Sequence, residues 1–186
     1  MKKTYLLTLI GAISLANVAV ADVCQRSGAV KNALVNKLQK NCDTINEADL
    51  LSISDLTLLH IHLRNFLEDD FVGLTNLRKL RFFSLFHKSG GETETKAFTA
   101  KVFKPLVQLE ELSITSDNLG ELDDDVFIEL GSLRLLRLSG ITLGRLPLSL
   151  LVMPKIESVI YTGDGLTDLE IKVLKHALGD KLKASH

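Results

Sequence analysis

The chain has 186 residues, 46% of them hydrophobic and 24% charged, with 22 basic against 23 acidic residues and a net charge of −1. That is the size of about one domain, and so even a balance gives no electrostatic footprint for nucleic acid or an anionic membrane surface. Two cysteines are too few for a structural zinc site, and tryptophan is absent while leucine is abundant.

The first 21 residues, MKKTYLLTLIGAISLANVAVA, start with Lys2 and Lys3, continue as an uncharged apolar run and end on Ala19-Val20-Ala21, a small-x-small cleavage signal. This is the form of a removable secretory leader cut after Ala21. The run is too short and wrongly flanked for a stable span, and no later segment is long and apolar enough to be one. The expected mature chain, 22–186, has 165 residues and a net charge of −3 once Lys2 and Lys3 are gone. Cys24 raises the idea of a lipidated start, which the preceding Asp22-Val23 disfavours. Export places Cys24 and Cys42 in an oxidising compartment, where one disulfide is expected and two free thiols are the alternative. Closing that short loop would stabilise the fold by about 3 kcal/mol.

Residues 22–52 read as an N-terminal capping region. Val30, Ala33, Leu34 and Leu38 recur at helical spacing behind Ser27, a suitable N-cap, which predicts a helix from about 28 to 40. A Cys24–Cys42 bond would staple its two ends.

From 53 to 166 the sequence repeats. Units begin at Ile53, Leu77, Leu109, Leu133 and Ile156, at spacings of 24, 32, 24 and 23 residues. Each then carries an alternating apolar pair: Leu56/Leu58, Leu80/Phe82, Leu112/Ile114, Leu136/Leu138 and Val159/Tyr161. Further on comes F-x-x-L or its equivalent: Phe71/Leu74, Phe103/Leu106, Phe127/Leu130, Leu151/Pro154 and Leu174/Ala177. The pattern L-x-x-L-x-L-x-x-(N-like)-x-L resembles the leucine-rich repeat family over residues 53–177. That resemblance implies an α/β solenoid of five repeats with a parallel β-sheet on its concave face and helical caps at both ends. The ninth position departs from the family's asparagine, being Ile61, Leu85, Asp117, Ile141 and Asp164, so no amide ladder is expected there. The cap and first unit are similar to those of exported bacterial leucine-rich repeat proteins through Cys24, Arg26, Val30, Cys42, Ile45, Leu50, Ile53, Leu56, Phe71, Gly73 and Leu74.

Residues 167–186 read as a C-terminal capping helix and tail. Thr167 three before Glu170 is a capping-box spacing. Leu169, Val173, Leu174, Ala177 and Leu178 form an apolar stripe, which predicts a helix over 168–178 ended by Gly179, with the DKLKASH tail loose.

In this frame the outward strand positions include Leu59, Lys79, Arg81, Phe83, Leu135, Arg137 and Ile160, the candidate partner-binding residues. Apolar and aromatic side chains among arginines resemble a protein-binding patch, with Phe83 beside Arg81 and Arg137 as the leading anchor. The eight extra residues of the second unit fall within 86–97, FHKSGGETETKA, a polar glycine-bearing segment expected to be a mobile loop at the rim. The acidic runs at 68–70 and 123–125 precede the phenylalanine of their units. They read as caps of the turns that follow more readily than as calcium ligands. His60 and His62, two apart in LTLLHIHL, invite a metal reading, but the repeat frame ends the strand near His60 and places His62 in a turn.

No H-E-x-x-H, G-x-S-x-G or phosphate-cradling glycine loop is present, and no catalytic residue, metal or cofactor is expected. The reading is an exported, non-catalytic module, periplasmic or secreted, that binds a protein or peptide through its concave face, a glycan being a further candidate ligand. An envelope-associated structural or adhesin-like protein is the alternative, separable by cell fractionation. A small inhibitor of an exported enzyme is a third reading.

Overall fold

The computed structural model describes residues 22–59, 66–84, 98–116, 122–140 and 147–185. The leader, His60 and His62, the 86–97 insertion and every ninth repeat position except Asp164 lie outside these residues.

Six parallel strands follow one another in sequence order: β1 (Asp55–Leu59), β2 (Lys79–Phe83), β3 (Glu111–Thr115), β4 (Leu135–Ser139), β5 (Ser158–Thr162) and β6 (Leu182–Ser185). Five have five residues, and in each the second and fourth side chains are buried. Period two sends those two inward and the rest to the opposite face. Leu56, Leu80, Leu112, Leu136 and Val159 pair in one row across the sheet, and Leu58, Phe82, Ile114, Leu138 and Tyr161 in the next. All ten are at most 1% exposed. Each such side chain stabilises the fold by about 1.5–3 kcal/mol, and none could be buried by its unit alone.

The connections repeat as regularly as the strands. The carbonyl before each of the first four strands accepts two N–H groups from the next unit: Ser54 from Arg78 and Lys79, Arg78 from Glu110 and Glu111, Glu110 from Arg134 and Leu135, Arg134 from Glu157 and Ser158. In the first three units F-x-x-L closes by Leu74 N–H to Phe71 O, Leu106 N–H to Phe103 O and Leu130 N–H to Phe127 O, at 2.9–3.1 Å. Gly73 sits at φ 84° inside the first of these turns, where a side chain would be strained. Phe66, Phe71, Phe82, Phe98, Phe103 and Phe127 form a chain of ring contacts with centroids 5.2–6.3 Å apart, carrying the core from one unit to the next.

Helix α1 (Gly28–Leu38) packs on β1, the first edge of the sheet, and buries Val30 and Leu34. It stops at Leu38 because Gln39 takes the left-handed conformation, φ 53°. A short second helix, α2 (Glu47–Leu51), unanticipated from sequence, begins with a reciprocal Asn46/Asp49 capping box. Helix α3 (Ala100–Phe103) is a single turn in the second unit. Cys24 and Cys42 are joined, their Cα atoms 5.1 Å apart.

Buried polar groups tie this end to the first unit. Arg26, 5% exposed, donates to the Asp70 carbonyl at 2.8 Å and the Val72 carbonyl at 2.6 Å. The fully buried Asp70 carboxylate accepts from Ser27 N–H at 2.7 Å and Leu67 N–H at 2.8 Å. Burial pushes the Arg26 guanidinium below its ordinary value, and Asp70 and then Asp69 pull it back. Asp70 thus caps a turn with its carboxylate and also reaches back to the chain that enters α1.

Three expectations are corrected at the C-terminal end. In the fourth unit Leu150 and Met153 are buried, whereas Leu151 is 38% exposed and Pro154 is exposed. The 23-residue spacing places the missing residue in this return, so its register is counted back from Ile156 rather than forward from Leu133. The return is a 3-10 turn, Leu148–Leu151, entered through Pro147. Second, helix α4 (Asp168–Leu178) buries Ile171, Leu174 and Leu178, while Leu169 and Val173 are 70% and 47% exposed and Ala177 is also exposed. Buried Leu166 before the Thr167 cap and Ile171 one turn in occupy the positions of a hydrophobic staple, which sets the face α4 presents. Third, the tail is not loose: Leu182–Ser185 pairs with β5 and adds the sixth strand.

Candidate functional site

The outward face of the sheet is a grid whose rows run across the strands. Register places Asp55, Lys79, Glu111, Leu135 and Ser158 in the first row and Thr57, Arg81, Ser113, Arg137 and Ile160 in the second. Leu59, Phe83, Thr115, Ser139 and Thr162 make the third. The seven candidate residues therefore share one surface but not one spot.

Leu59 and Phe83 are directly paired neighbours, 60% and 37% exposed, and form an apolar step at the end of β1 and β2. Arg81 lies on the same strand face as Phe83, two residues back. Arg137 stands two strands from Arg81, so it is not adjacent to Phe83 as the sequence frame had it. Leu135 and Ile160 are half-buried and diagonal to each other on β4 and β5. Lys79 is committed: its ammonium meets Glu111 at 2.8 Å, as Lys37 of α1 meets Asp55 at 2.8 Å. Arg81 and Arg137 form no ion pair among the described residues.

Two features of this face were not read from sequence. The first is Lys183, which β6 places opposite Ile160 at the end of the second row. The alternation Leu182 buried, Lys183 exposed, Ala184 packed against the core was a strand signal that a short terminal segment concealed. The second is a charged row one residue before each strand from β2 to β6: Arg78, Glu110, Arg134, Glu157 and Lys181. Arg78 pairs with Glu110, and Arg134 with Glu157 at 2.8 Å. The Glu157 carboxylate holds Arg134 more firmly protonated than an isolated arginine. These residues line a groove of about 630 Å³ along the N-terminal rim of the sheet. From the second unit to the fifth, the residue directly after the unit's first leucine or isoleucine was the signal for Arg78, Glu110, Arg134 and Glu157.

The acidic run at 68–70 does structural work through Asp70, as described above. Among the described residues no group of three or more metal-ligating side chains occurs, and no helix is long and apolar enough to cross a membrane.

Repeated strand-and-return units, one shared core and a parallel sheet with a free outward face define a leucine-rich-repeat solenoid. No known family pattern matches the sequence, and no curated protein matches it. Among solved structures it is similar to internalin C2 of Listeria monocytogenes, at 14% identity and a TM-score of 0.36, over 86% of this chain and 93% of that one. A secreted internalin-like protein of the same organism matches at 17% identity and a TM-score of 0.47, over 84% of this chain and 61% of that one. A further Listeria internalin, inlF, matches at 14% and 0.35, over 88% and 57%. The chain thus spans less than two thirds of the latter two structures.

Proposed function

We propose that this protein is an exported, non-catalytic binding module that takes a protein or peptide on its concave sheet face, a glycan being the further candidate. One observation carries the reading: Arg81 and Arg137, without an ion pair among the described residues, share one sheet face with the exposed Leu59–Phe83 step. Aromatic and arginine side chains dominate interface energies, and fixing them on a sheet lowers the entropy lost on binding. Export, to the periplasm or the medium, is supported by the leader-like residues 1–21 and by the Cys24–Cys42 disulfide. The proposed organisation is a leader at 1–21, an N-terminal cap at 22–52, repeats at 53–166 and a C-terminal cap at 167–186.

Crosslinking capture from the host's envelope fraction and medium tests the reading. Wild type, Arg81→Ala/Phe83→Ala and a return-side control, Ile128→Ser, would be compared. Loss of the same partners with the double variant alone is expected. Equal capture by all three overturns the assignment to this face. Recovered protein should have the mass of a chain beginning at Asp22; an intact leader would refute the cleavage.

A further inference from the structure

The sheet carries two kinds of charged row, and their difference points to a partner chemistry. In the row before the strands, signs alternate and pair: Arg78 with Glu110, Arg134 with Glu157. The row at the strand starts behaves alike, with Lys37 on Asp55 and Lys79 on Glu111. Such exposed pairs contribute little each to stability, but neutralise one another and favour the correct stacking order.

The central row differs. It reads Thr57, Arg81, Ser113, Arg137, Ile160, Lys183: a cation on every second strand, an uncharged residue between, and no acid. None of the three cations has an ion pair among the described residues, and the nearby Glu111 is held by Lys79. A chain with net charge −1 leaves one lane of its outward sheet face purely cationic.

We propose that this lane docks an acidic peptide segment of a partner protein, in polyproline-II conformation, with a carboxylate at every third residue. The proposal rests on the concave-face reading above. Adjacent strands lie about 4.8 Å apart, so the cations recur about every 9.6 Å. A polyproline-II chain returns to the same face every three residues, a rise of about 9.3 Å. From Arg81 to Lys183 the mismatch accumulates to only about 0.6 Å. A β-strand cannot follow this spacing, because its third residue points to the opposite face. Ser113 and Ile160 present uncharged ground to the two residues between carboxylates. The two arginines supply planar forks suited to bidentate carboxylate binding, and the Leu59–Phe83 step can take an apolar residue beyond the β2 end of the lane.

Fluorescence anisotropy on the disulfide-bonded protein tests this with three labelled peptides. They are (Pro-Pro-Glu)3, a permuted peptide of the same composition with its glutamates adjacent, and (Pro-Pro-Lys)3. The in-phase peptide should bind at least about tenfold more tightly than the permuted one, the lysine peptide should not bind, and affinity should fall with added salt. Arg81→Gln, Arg137→Gln and Lys183→Gln should each weaken binding about tenfold, while Glu157→Gln in the alternating row leaves it unchanged. Equal binding of the two glutamate peptides overturns the proposal, as does indifference to the arginine variants. So does binding of heparin oligosaccharides with none to either glutamate peptide. If glutamate peptides fail while partner capture still requires Arg81 and Phe83, the acidic lane falls and concave-face binding stands. If capture is also indifferent to those residues, both fall.

Discussion

Replacing Asp70 by alanine tests whether buried polar bonds, rather than apolar contact alone, hold the N-terminal helix region to the repeats. The substitution strips the acceptor from Ser27 N–H and Leu67 N–H, at 2.7 and 2.8 Å, and removes the carboxylate charge that most favours the buried Arg26 guanidinium. Each stranded N–H costs about 1–3 kcal/mol, and the Arg26 guanidinium, which donates to the Asp70 and Val72 carbonyls rather than to the carboxylate, also loses the favourable field of Asp70. The expected loss for Asp70→Ala is therefore about 2–5 kcal/mol, a large share of the roughly 5–15 kcal/mol that holds a domain together. Asp70→Asn keeps one acceptor oxygen and should lose about 2 kcal/mol. Asp69→Ala, at the exposed neighbouring position, should stay within about 0.5 kcal/mol of wild type. The assay is equilibrium urea unfolding with the disulfide intact. Adding Arg26→Met to Asp70→Ala should cost less than the sum of the two singles, because the second change removes the charge the first left stranded. A loss for Asp70→Ala no greater than that for Asp69→Ala, or strict additivity in the double variant, would refute the reasoning.

Reducing the Cys24–Cys42 bond, which closes a separation of 18 residues, should lower unfolding free energy by about 3 kcal/mol; alkylation of either cysteine without reductant would contradict the pairing. Phe82→Ala should cost about 3–5 kcal/mol by opening the aromatic chain, whereas Phe83→Ala should cost less than about 1 kcal/mol. Urea midpoints of the two variants are sufficient, and equal losses would place the strand in the wrong register. Thr167→Ala should destabilise by about 1 kcal/mol through loss of the α4 cap. Hydrogen bonds from Thr167, its backbone N–H first, hold the Glu170 carboxyl below its ordinary value. This contribution is therefore complete above the unfolded carboxyl value and disappears as pH falls through the lower folded value. Glu170→Gln should flatten that acid limb in thermal melts, and an unchanged limb would remove Glu170 as its source.

The strands and their register were legible because inward residues obey period two and each unit repeats the solution of the last. Leu56, Leu80, Leu112, Leu136 and Val159 could be aligned from sequence and stand in one row. The returns were less legible, since a turn tolerates a missing residue where a strand does not. A single deletion before Ile156 exchanges Leu151 for Leu150 in the core. Helix α4 misled for another reason: it carries two apolar stripes, and periodicity alone cannot choose between 171/174/178 and 169/173/177. The choice goes with Leu166, buried at the helix entrance in the staple position for Ile171 and outside the helix's own period. Arg26 and Asp70 were individually visible, yet their meeting joins positions more than 40 residues apart, and no local spacing encodes it. The cationic row was only partly legible because Lys183 joins it through a strand that exists only once β5 offers an edge.

The alternation that makes the sheet stable also frees its other face. Phe82 and Phe83 are consecutive, yet one is fully buried and the other 37% exposed. Stability constrains the inward residues, since removing one opens a cavity shared by two units. Outward residues face no such requirement, but like charges directly opposite one another across a strand pair are unfavourable. Cations on every second strand, separated by Ser113 and Ile160, satisfy that restriction. Sign alternation would satisfy it equally, as it does one residue before the strands. Folding therefore does not dictate that the central row be single-signed, which is why that row, rather than the paired one beside it, is the informative surface of this protein.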